Sequence, residues 1–536
     1  MKRNNIYLFF LLTFICSSCN LLDLAPIDYY ASGNYWKNES QVNSYMNGIH
    51  SEFRDKYNLL YQLGEERGGT QRTSIASQSN ALDDSNPIKM NNFTAASTGI
   101  SNWGGLYNNI MKINSFIVNV EGGCDFLSAE DRGNYLGQAY GIRTFYYFLL
   151  YRTFGGLPLL MNDDVLKGAT AEEFYTPRST ARETMNQIKS DIKKSIDYFD
   201  GRNGKNPAFW TLGASLSLKS EIYLWSGKVT LEDQMPATGN ADLIEAKTTL
   251  DEILGMGYEL ENKFEDVFSS NNKGGKEIIF TFRFKEGEKE NNIKTLYQIS
   301  EMSRAFHVDG TKFEKPDILD MGAKTERQQR HEYLFEFWET FENEDTRRDY
   351  TFLAYHMGVG KEDDPNTLDP QKKTDSGTMM KKYMGIINES KTRIYESDIP
   401  VYRYSNILLM RAEVANALGE DPTSYLNRVR RRAYEQDINA VSKYDIQNKA
   451  FAENELAILQ ERDKEFVWEG TRWFDLCRMH DANHEPLVFA SEASYIMNGS
   501  QKTPVLDKAK DKHMLLWPID TETLNANPNL DPNPGY

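Results

Sequence analysis

The chain has 536 residues, 40% of them hydrophobic and 12% aromatic, which is enough to bury a large core. Its formal net charge of −17 at pH 7 argues against nucleic acid or a bare anionic membrane surface as a partner. The histidines and the cysteines beyond residue 19 form no HExxH, CxxC or clustered ligand motif, so a metal enzyme is not indicated.

Residues 1–18 are predicted to be a lipoprotein signal peptide and not part of the fold. Lys2 and Arg3 precede an apolar stretch that is too short to span a bilayer. Cys16-Ser-Ser-Cys19 then resembles a bacterial lipobox, although Cys16 stands where Leu is usual. Cleavage before Cys19 would leave a lipidated N-terminus, and more than one acyl chain makes such anchoring stable. The alternative is an ordinary signal peptidase site.

Apolar residues at helical spacing predict a series of helices between about residues 40 and 260. The predicted helices are Gln41 to Tyr57, Ser101 to Val120, Asp131 to Phe154, Thr180 to Phe199, Ala208 to Trp225 and Leu243 to Ile253. Their short connections favour stacked helix hairpins. Trp103 falls on a buried stripe, and Arg143 needs a carboxylate or carbonyl partner if it is buried.

Two stretches lack this periodicity, Gly64 to Gly99 and Lys285 to Ser397. A short strand at Glu277 to Phe282 precedes the second stretch, and Tyr333 to Phe341 within it is predicted to be helical. Long irregular segments in a compact protein are usually functional or disordered, and recognition often resides on loops held by a rigid scaffold.

The C-terminal part returns to helical patterns. One helix is predicted to begin at Asp398 and stop at Gly419, with Pro400 in its first turn. The charged segment Glu453 to Met479 is interpreted as a helix ending near Gly470, whose Arg and Glu residues form an ion-pair lattice rather than a site. Cys124 and Cys477 could pair, although two isolated cysteines are no disulfide framework.

These segments resemble the SusD/RagB family of surface nutrient-binding lipoproteins. The family's motifs are matched by CNLLDLAP from Cys19, FGGLPL from Phe154, PVYRY from Pro400, ERDKEFVWEGTRWFDL from Glu461 and NPGY at the C-terminus. Mild departures from the pattern are Gln138, Thr144, Asp520 and Pro532. The matched motifs run from Cys19 to Tyr536 and so cover the whole mature chain.

The resemblance implies a mainly α fold, with tetratricopeptide-like helix hairpins as scaffold and a loop-rich insertion with few short strands. It implies one SusD-like domain at 19–536, with scaffold at about 40–260 and 398–480, a ligand-binding insertion at about 285–397 and a C-terminal tail at 481–536. The implied function is non-catalytic capture of glycan at the outer face of a Bacteroidetes-type outer membrane and delivery to a SusC-like TonB-dependent transporter. Peptide capture, as in the RagB branch, is the alternative, and a surface glycoside hydrolase with two catalytic carboxylates is the least supported one.

The matched motifs belong to the scaffold, so the candidate ligand contacts come from the two irregular stretches. They are Arg67, Arg72, Asp83, Asp84 and Phe93 in the first stretch, and Phe306, His307, Tyr355 and His356 in the second. Aromatic rings can stack on sugar faces, and the polar groups can bond to hydroxyls. No cofactor is expected. Oxygen ligands at Asp363, Asp364, Asn366 and Asp369 allow Ca²⁺ binding, although a solvated acidic loop is favoured.

Overall fold

The computed structural model describes residues 35–74, 87–100, 103–162, 175–231, 237–293, 305–311, 331–360 and 368–536. The lipidation, candidate ligand and candidate Ca²⁺ residues that lie outside these ranges are Cys19, Asp83, Asp84, Asp363, Asp364 and Asn366. Within the described ranges, no helix is both long and apolar enough to cross a membrane.

The N-terminal half is a stack of helices. They are α1 (Glu39–Arg54), α2 (Tyr57–Tyr61), α3 (Gly104–Gly123), α4 (Ala129–Phe154), α5 (Ala181–Phe199), α6 (Leu212–Lys228) and α7 (Asn240–Leu254). Each helix from α3 to α6 packs against the next one in the chain. This succession confirms the predicted helix hairpins.

Helix α4 lies at the centre of the stack and is buried on nearly all sides. Ser128 caps its N-terminus by accepting from the Asp131 backbone N–H. Arg143, in the middle, donates from Nε and Nη2 to the two carboxylate oxygens of Asp191 at 2.8 and 2.9 Å. The partner predicted for this buried cation is therefore a carboxylate on α5. At the start of α5, Thr180 and Glu183 form the expected capping box.

Most of the short strands lie in the middle of the chain, and a few lie near its two ends. They are β1 (Gln71–Thr73), β2 (Ile278–Phe282), β3 (Ala305–His307), β4 (His331–Tyr333), β5 (Phe352–Gly360), β6 (Leu368–Met380), β7 (Ile386–Ile387), β8 (Arg393–Ile394), β9 (Ile399–Arg403), β10 (Met497–Asn498) and β11 (Gln501–Lys502). All pairings are antiparallel: β1 with β4, β2 with β9, β3 with β5 and β5 with β6, β7 with β8, and β10 with β11. Two short helices, α8 (Phe335–Trp338) and α9 (Thr346–Thr351), lie between β4 and β5.

The remaining helices complete the scaffold. They are α10 (Tyr404–Ala417), α11 (Thr423–Ala433), α12 (Phe451–Glu465) and α13 (Arg472–Arg478), followed by α14 (Lys508–Asp511) and α15 (Thr521–Ala526) in the tail. Helix α10 packs against α7, α11 and α12, so the two helical halves form one body.

Three local predictions are wrong. Residues Ile399–Arg403 form strand β9 and not the first turn of a helix, because β2 offers them a pairing edge. Pro400 is tolerated there because a two-stranded sheet leaves one edge of each strand unpaired. The stretch Lys285 to Ser397 is less irregular than predicted, since β5 and β6 form a long hairpin. The helix predicted at Tyr333 to Phe341 shrinks to the single turn Phe335–Trp338.

Two further expectations are corrected in detail. Helix α12 ends at Glu465, although Gly470 does have the expected positive φ, of 72°. Gly470 and Gly64 allow their two backbones to meet, since a Cβ on Gly64 would lie 1.8 Å from the Gly470 carbonyl oxygen. Cys124 and Cys477 are both buried and free, so they do not pair.

The charged segment around α12 and α13 is a buried ion-pair lattice, as predicted. Its pairs include Arg462–Asp475, Arg472–Asp463, Arg478–Glu413, Arg403–Glu469, Arg403–Glu465, Arg347–Glu461, Arg347–Asp345 and Arg432–Glu277. Glu469 and Arg472 belong to the lattice, although they pair with Arg403 and Asp463 and not with each other. These charges therefore connect α12 and α13 with α9, α10 and β9, and α11 with Glu277, the residue before β2.

Candidate ligand-binding surface

The two irregular stretches meet through backbone pairing. Strand β1 of the first stretch pairs with β4 of the second, so that Arg72 lies opposite Glu332 and Thr73 opposite His331. Strand β4 in turn packs against β6. Side chains from both stretches therefore lie together at the edge of the scaffold.

Arg72 is held in place from two sides. Its Nε donates to Glu332 Oε1 at 2.6 Å, and its Nη2 donates to the Ser376 carbonyl oxygen. Burial disfavours the guanidinium charge, but Glu332 more than offsets that effect, so the pKa of Arg72 is raised. Its side chain remains 25% exposed. The guanidinium group of Arg72 is therefore charged, held in a fixed position and partly exposed to solvent.

Glu332 is the buried anchor of this network. Its Oε2 accepts from the Tyr355 hydroxyl at 2.7 Å and from Ser74 Oγ at 3.2 Å. Burial and the neighbouring Glu332 carboxylate raise the pKa of Tyr355 well above its usual range. Gly377 must be a glycine here, because a Cβ would lie 2.6 Å from the Tyr355 hydroxyl oxygen and 2.7 Å from Glu332 Oε2. Tyr355, a predicted contact, is therefore a supporting residue beneath Arg72.

Four of the predicted contacts lie in the sheet formed by β3, β5 and β6. In its register Phe306 lies opposite His356, which lies opposite Ser376. Directly opposed residues share one face, and His356 Nδ1 lies 2.6 Å from Ser376 Oγ. His307, opposite Tyr355, is partly exposed, whereas Phe306, Tyr355 and His356 are buried. Of these four residues, only His307 has substantial exposure.

Sequence reasoning missed the most accessible aromatic pair at this place. The rings of Phe335 and Trp338 on α8 have centroids 4.9 Å apart, with an interplanar angle of 33°. Both side chains are partly exposed, and Phe335 lies 5.7 Å from the His356 ring. The signal was present, since Phe335 and Trp338 are three residues apart and share one helix face. It was missed because Tyr333 to Phe341 was interpreted only as a helix, and no candidate contact was taken from it. Phe337, which lies between Phe335 and Trp338 in the sequence, is buried and does pack in the core.

Arg67 and Phe93 lie elsewhere, inside the core. The Arg67 guanidinium carbon lies 3.5 Å from the Trp473 ring centroid, and Nη2 donates to the Met514 carbonyl oxygen at 2.7 Å. Phe93 stacks on Trp517 at 4.7 Å with an interplanar angle of 6°. Both side chains are 3% exposed or less, so their chemistry is used to hold the C-terminal tail.

The described residues contain no group of three or more His, Cys, Asp or Glu side chains that could hold a metal ion. Of the acidic run considered for Ca²⁺, only Asp369 falls within the described ranges, on β6. The favoured solvated loop and the weaker alternative of Ca²⁺ binding both stay predictions.

Comparison with known proteins decides the family. Residues 260–536 match a family model described as the SusD family, and residues 23–224 match one described as starch-binding, associating with outer membrane. The chain belongs to the SusD family.

Individual relatives agree with this assignment. A solved SusD superfamily protein from Bacteroides fragilis is 37% identical, with a TM-score of 0.81, over 94% of this chain and 100% of that one. SusD-like protein P38 from Formosa agariphila is 24% identical over the full length of both chains. The starch-binding protein SusD of Bacteroides thetaiotaomicron is 23% identical over 80% of this chain and 76% of its own. The resemblance found in the motifs, and the fold class it implied, are confirmed.

Proposed function

We propose that this chain is a non-catalytic, surface-exposed glycan-binding lipoprotein. It captures oligosaccharide or polysaccharide and delivers it to a SusC-like TonB-dependent transporter in the outer membrane. Membership of the SusD family and the starch-binding description of the N-terminal family model support the proposal. The observation that carries it is the partly exposed Phe335–Trp338 pair on α8, a helix whose Glu336 lies near enough to Arg72 to contribute to the raised pKa of that arginine.

The chemistry of this surface fits a sugar. An aromatic face packs on the apolar C–H side of a pyranose ring, and two tilted rings accept two adjoining sugar units. Hydroxyl groups need donors and acceptors at the ring edges. Arg72 supplies donors there, and the exposed carboxylate of Asp375, 3.6 Å from Arg72 Nη2, supplies acceptors. The aromatic pair on α8 thus offers stacking, and Arg72 with Asp375 offers hydrogen bonding.

The carboxylates of Glu332 and Asp375 both pair with Arg72, which supports a binding role over hydrolysis. A glycosidase needs two carboxyl groups that face each other across the substrate. Glu332 is buried and engaged by Arg72, Tyr355 and Ser74. Asp375 pairs with the same guanidinium, so Glu332 and Asp375 both offset the charge of Arg72. This arrangement favours a binding protein.

Delivery to a transporter requires the protein to stay at the membrane. Lipidation of Cys19, in the sequence CSSC after a short apolar segment, would supply that anchor. The polar residues that follow Cys19 would let the folded body stand away from its lipid.

The decisive experiment is a glycan and peptide array on the soluble mature protein, followed by calorimetry with the best ligand. Phe335→Ala and Trp338→Ala should each weaken binding roughly 5- to 150-fold, taking about 1–3 kcal/mol per stacked ring from base stacking as an analogy. Phe126→Ala is the matched control, because Phe126 is 44% exposed and belongs to the α3–α4 connection.

Two results would contradict the proposal. Binding of peptides without any glycan would favour the RagB-like alternative, and release of shorter products from a bound glycan would indicate a hydrolase. If Phe126→Ala weakens binding as much as Trp338→Ala does, the aromatic pair is not the site.

A further inference from the structure

A cavity lies in the helical scaffold and shares no lining residue with the surface around Arg72. It has a volume of about 600 Å³ and lies between the C-terminal ends of α6, α10 and α13, the start of α12 and the segment 480–489. Small-molecule sites typically occupy about 300–1,000 Å³. The cavity is therefore large enough for a ligand of mono- or disaccharide size.

Its walls combine apolar surface with unused nitrogen donors. Trp225 and Phe451 form part of the apolar wall, and the Phe451 ring lies 5.5 Å from that of His484. Among the described residues, no hydrogen bond reaches the ring nitrogens of His480 or His484. The same part of the chain offers no ion-pair partner to the exposed ammonium of Lys512, which also lines the cavity.

At neutral pH the ring of His480 is uncharged and can donate one hydrogen bond. Burial, and then the positive charge of Lys228, lower the pKa of His480 to about 3. At neutral pH its ring therefore carries one N–H and one free nitrogen lone pair. Its backbone N–H donates to Glu455 Oε2 at 3.1 Å, which fixes the residue at the cavity wall.

The other charges that face the cavity are already neutralised. Lys228 Nζ lies 2.8 Å from a Glu413 oxygen and 2.6 Å from a Glu455 oxygen. Glu485 lies 2.8 Å from Lys508 Nζ, and Arg152 is paired with Glu221. Lys512 consequently leaves one positive charge without a counter-ion in a protein whose net charge is −17.

We propose that this cavity binds a small organic carboxylate, with the carboxylate at Lys512 and His480 and the apolar body against Trp225 and Phe451. A single unpaired cation matches a monoanion in charge. A lysine ammonium and a neutral imidazole N–H can both donate to carboxylate oxygens, and charge-assisted bonds of this kind are the stronger ones. The site is separate from the proposed glycan surface.

The test is a titration of the soluble mature protein, followed by NMR or calorimetry as the readout. The probe is d-glucuronate, and d-glucose is the neutral sugar of matching size. Glucuronate should bind more tightly than glucose. Lys512→Ala should weaken glucuronate binding roughly tenfold or more, as expected for loss of a hydrogen bond to a charged group. His480→Ala should weaken it as well.

Lys510→Ala is the matched control, because Lys510 is 79% exposed, lies two residues from Lys512 and does not line the cavity. It should leave binding unchanged, as should Phe335→Ala at the other surface. The proposal is overturned if glucuronate does not bind, if glucose binds equally well, or if Lys510→Ala and Lys512→Ala have the same effect. Since Lys512 is exposed, its variant keeps the test independent of any folding defect in His480→Ala.

Discussion

Replacing Glu465 with Gln tests whether the buried ion-pair lattice stabilises the scaffold. Glu465 ends α12 and is fully buried. Its carboxylate accepts from Arg403 Nη1 at 2.6 Å and Arg347 Nη1 at 2.9 Å, and it also pairs with Arg432. Glu465→Gln keeps the shape of the side chain but removes the charge that these three guanidinium groups share.

The expected loss of stability follows from this geometry. Removing one partner from a buried pair costs about 3–5 kcal/mol, because the remaining charge stays buried. An unfolding entropy of about 2.1 cal/mol/K per residue gives about 1.1 kcal/mol/K for a chain of this length. The melting temperature should therefore fall by about 3–5 °C.

The pH dependence provides an independent measurement. Burial alone would raise the pKa of Glu465, but Arg432, Arg403 and Arg347 lower it far below its usual value. A carboxyl group with a lowered pKa in the folded state stabilises above its ordinary pKa of about 4.3, and this contribution is lost as the pH falls towards the folded value. The parent protein should therefore lose more stability than Glu465→Gln on acidification below about pH 4.

The assay is thermal unfolding at pH 7 and along an acid series. The control is Glu453→Gln at the other end of α12, where the carboxylate is 57% exposed and lies 3.4 Å from Lys449. Such a pair contributes about 0–1 kcal/mol, so its melting temperature should change by less than about 1 °C. If Glu465→Gln melts like the parent, or if both variants shift equally, the lattice does not stabilise the fold as argued.

Three further predictions concern other parts of the molecule. Arg472→Ala leaves the buried Asp463 without its cation, so it should lower the melting temperature by several degrees while glycan affinity stays unchanged; a stable variant that has lost glycan binding would reverse this assignment. Cys19→Ala should release the protein from the outer membrane or leave its signal peptide uncleaved. Cell fractionation and surface labelling of intact cells measure this. A variant that still fractionates with the outer membrane and is labelled on intact cells would show that Cys19 is not the anchor. His307→Ala should weaken glycan binding without unfolding, because His307 is partly exposed in the sheet that joins the second stretch to Arg72 and lies opposite Tyr355; calorimetry showing parental affinity would remove it from the site.

The helices of the scaffold were predictable because helical spacing is a pattern among residues that are close in the sequence. Apolar spacing indicated α3 to α6, and charges at three- and four-residue steps indicated the lattice of α12 and α13. The family motifs identified the fold for the same reason, since each motif is a short run of consecutive residues. The prediction failed at Pro400, where pairing with a strand about 120 residues upstream outweighed the helical pattern that follows.

The candidate binding surface depended on contacts that no local pattern records. Arg72 and Glu332 are separated by 260 residues, and Arg67 reaches the tail carbonyl at Met514 across 447 residues. From sequence alone, both arginines are equally polar residues in one irregular stretch. The tertiary structure buries Arg67 against Trp473 and leaves the edge of Arg72 exposed. Periodicity thus determined the helices, and the resemblance of the motifs determined the family. Only long-range packing decided which side chains face solvent, because exposure depends on neighbours that are distant in the chain.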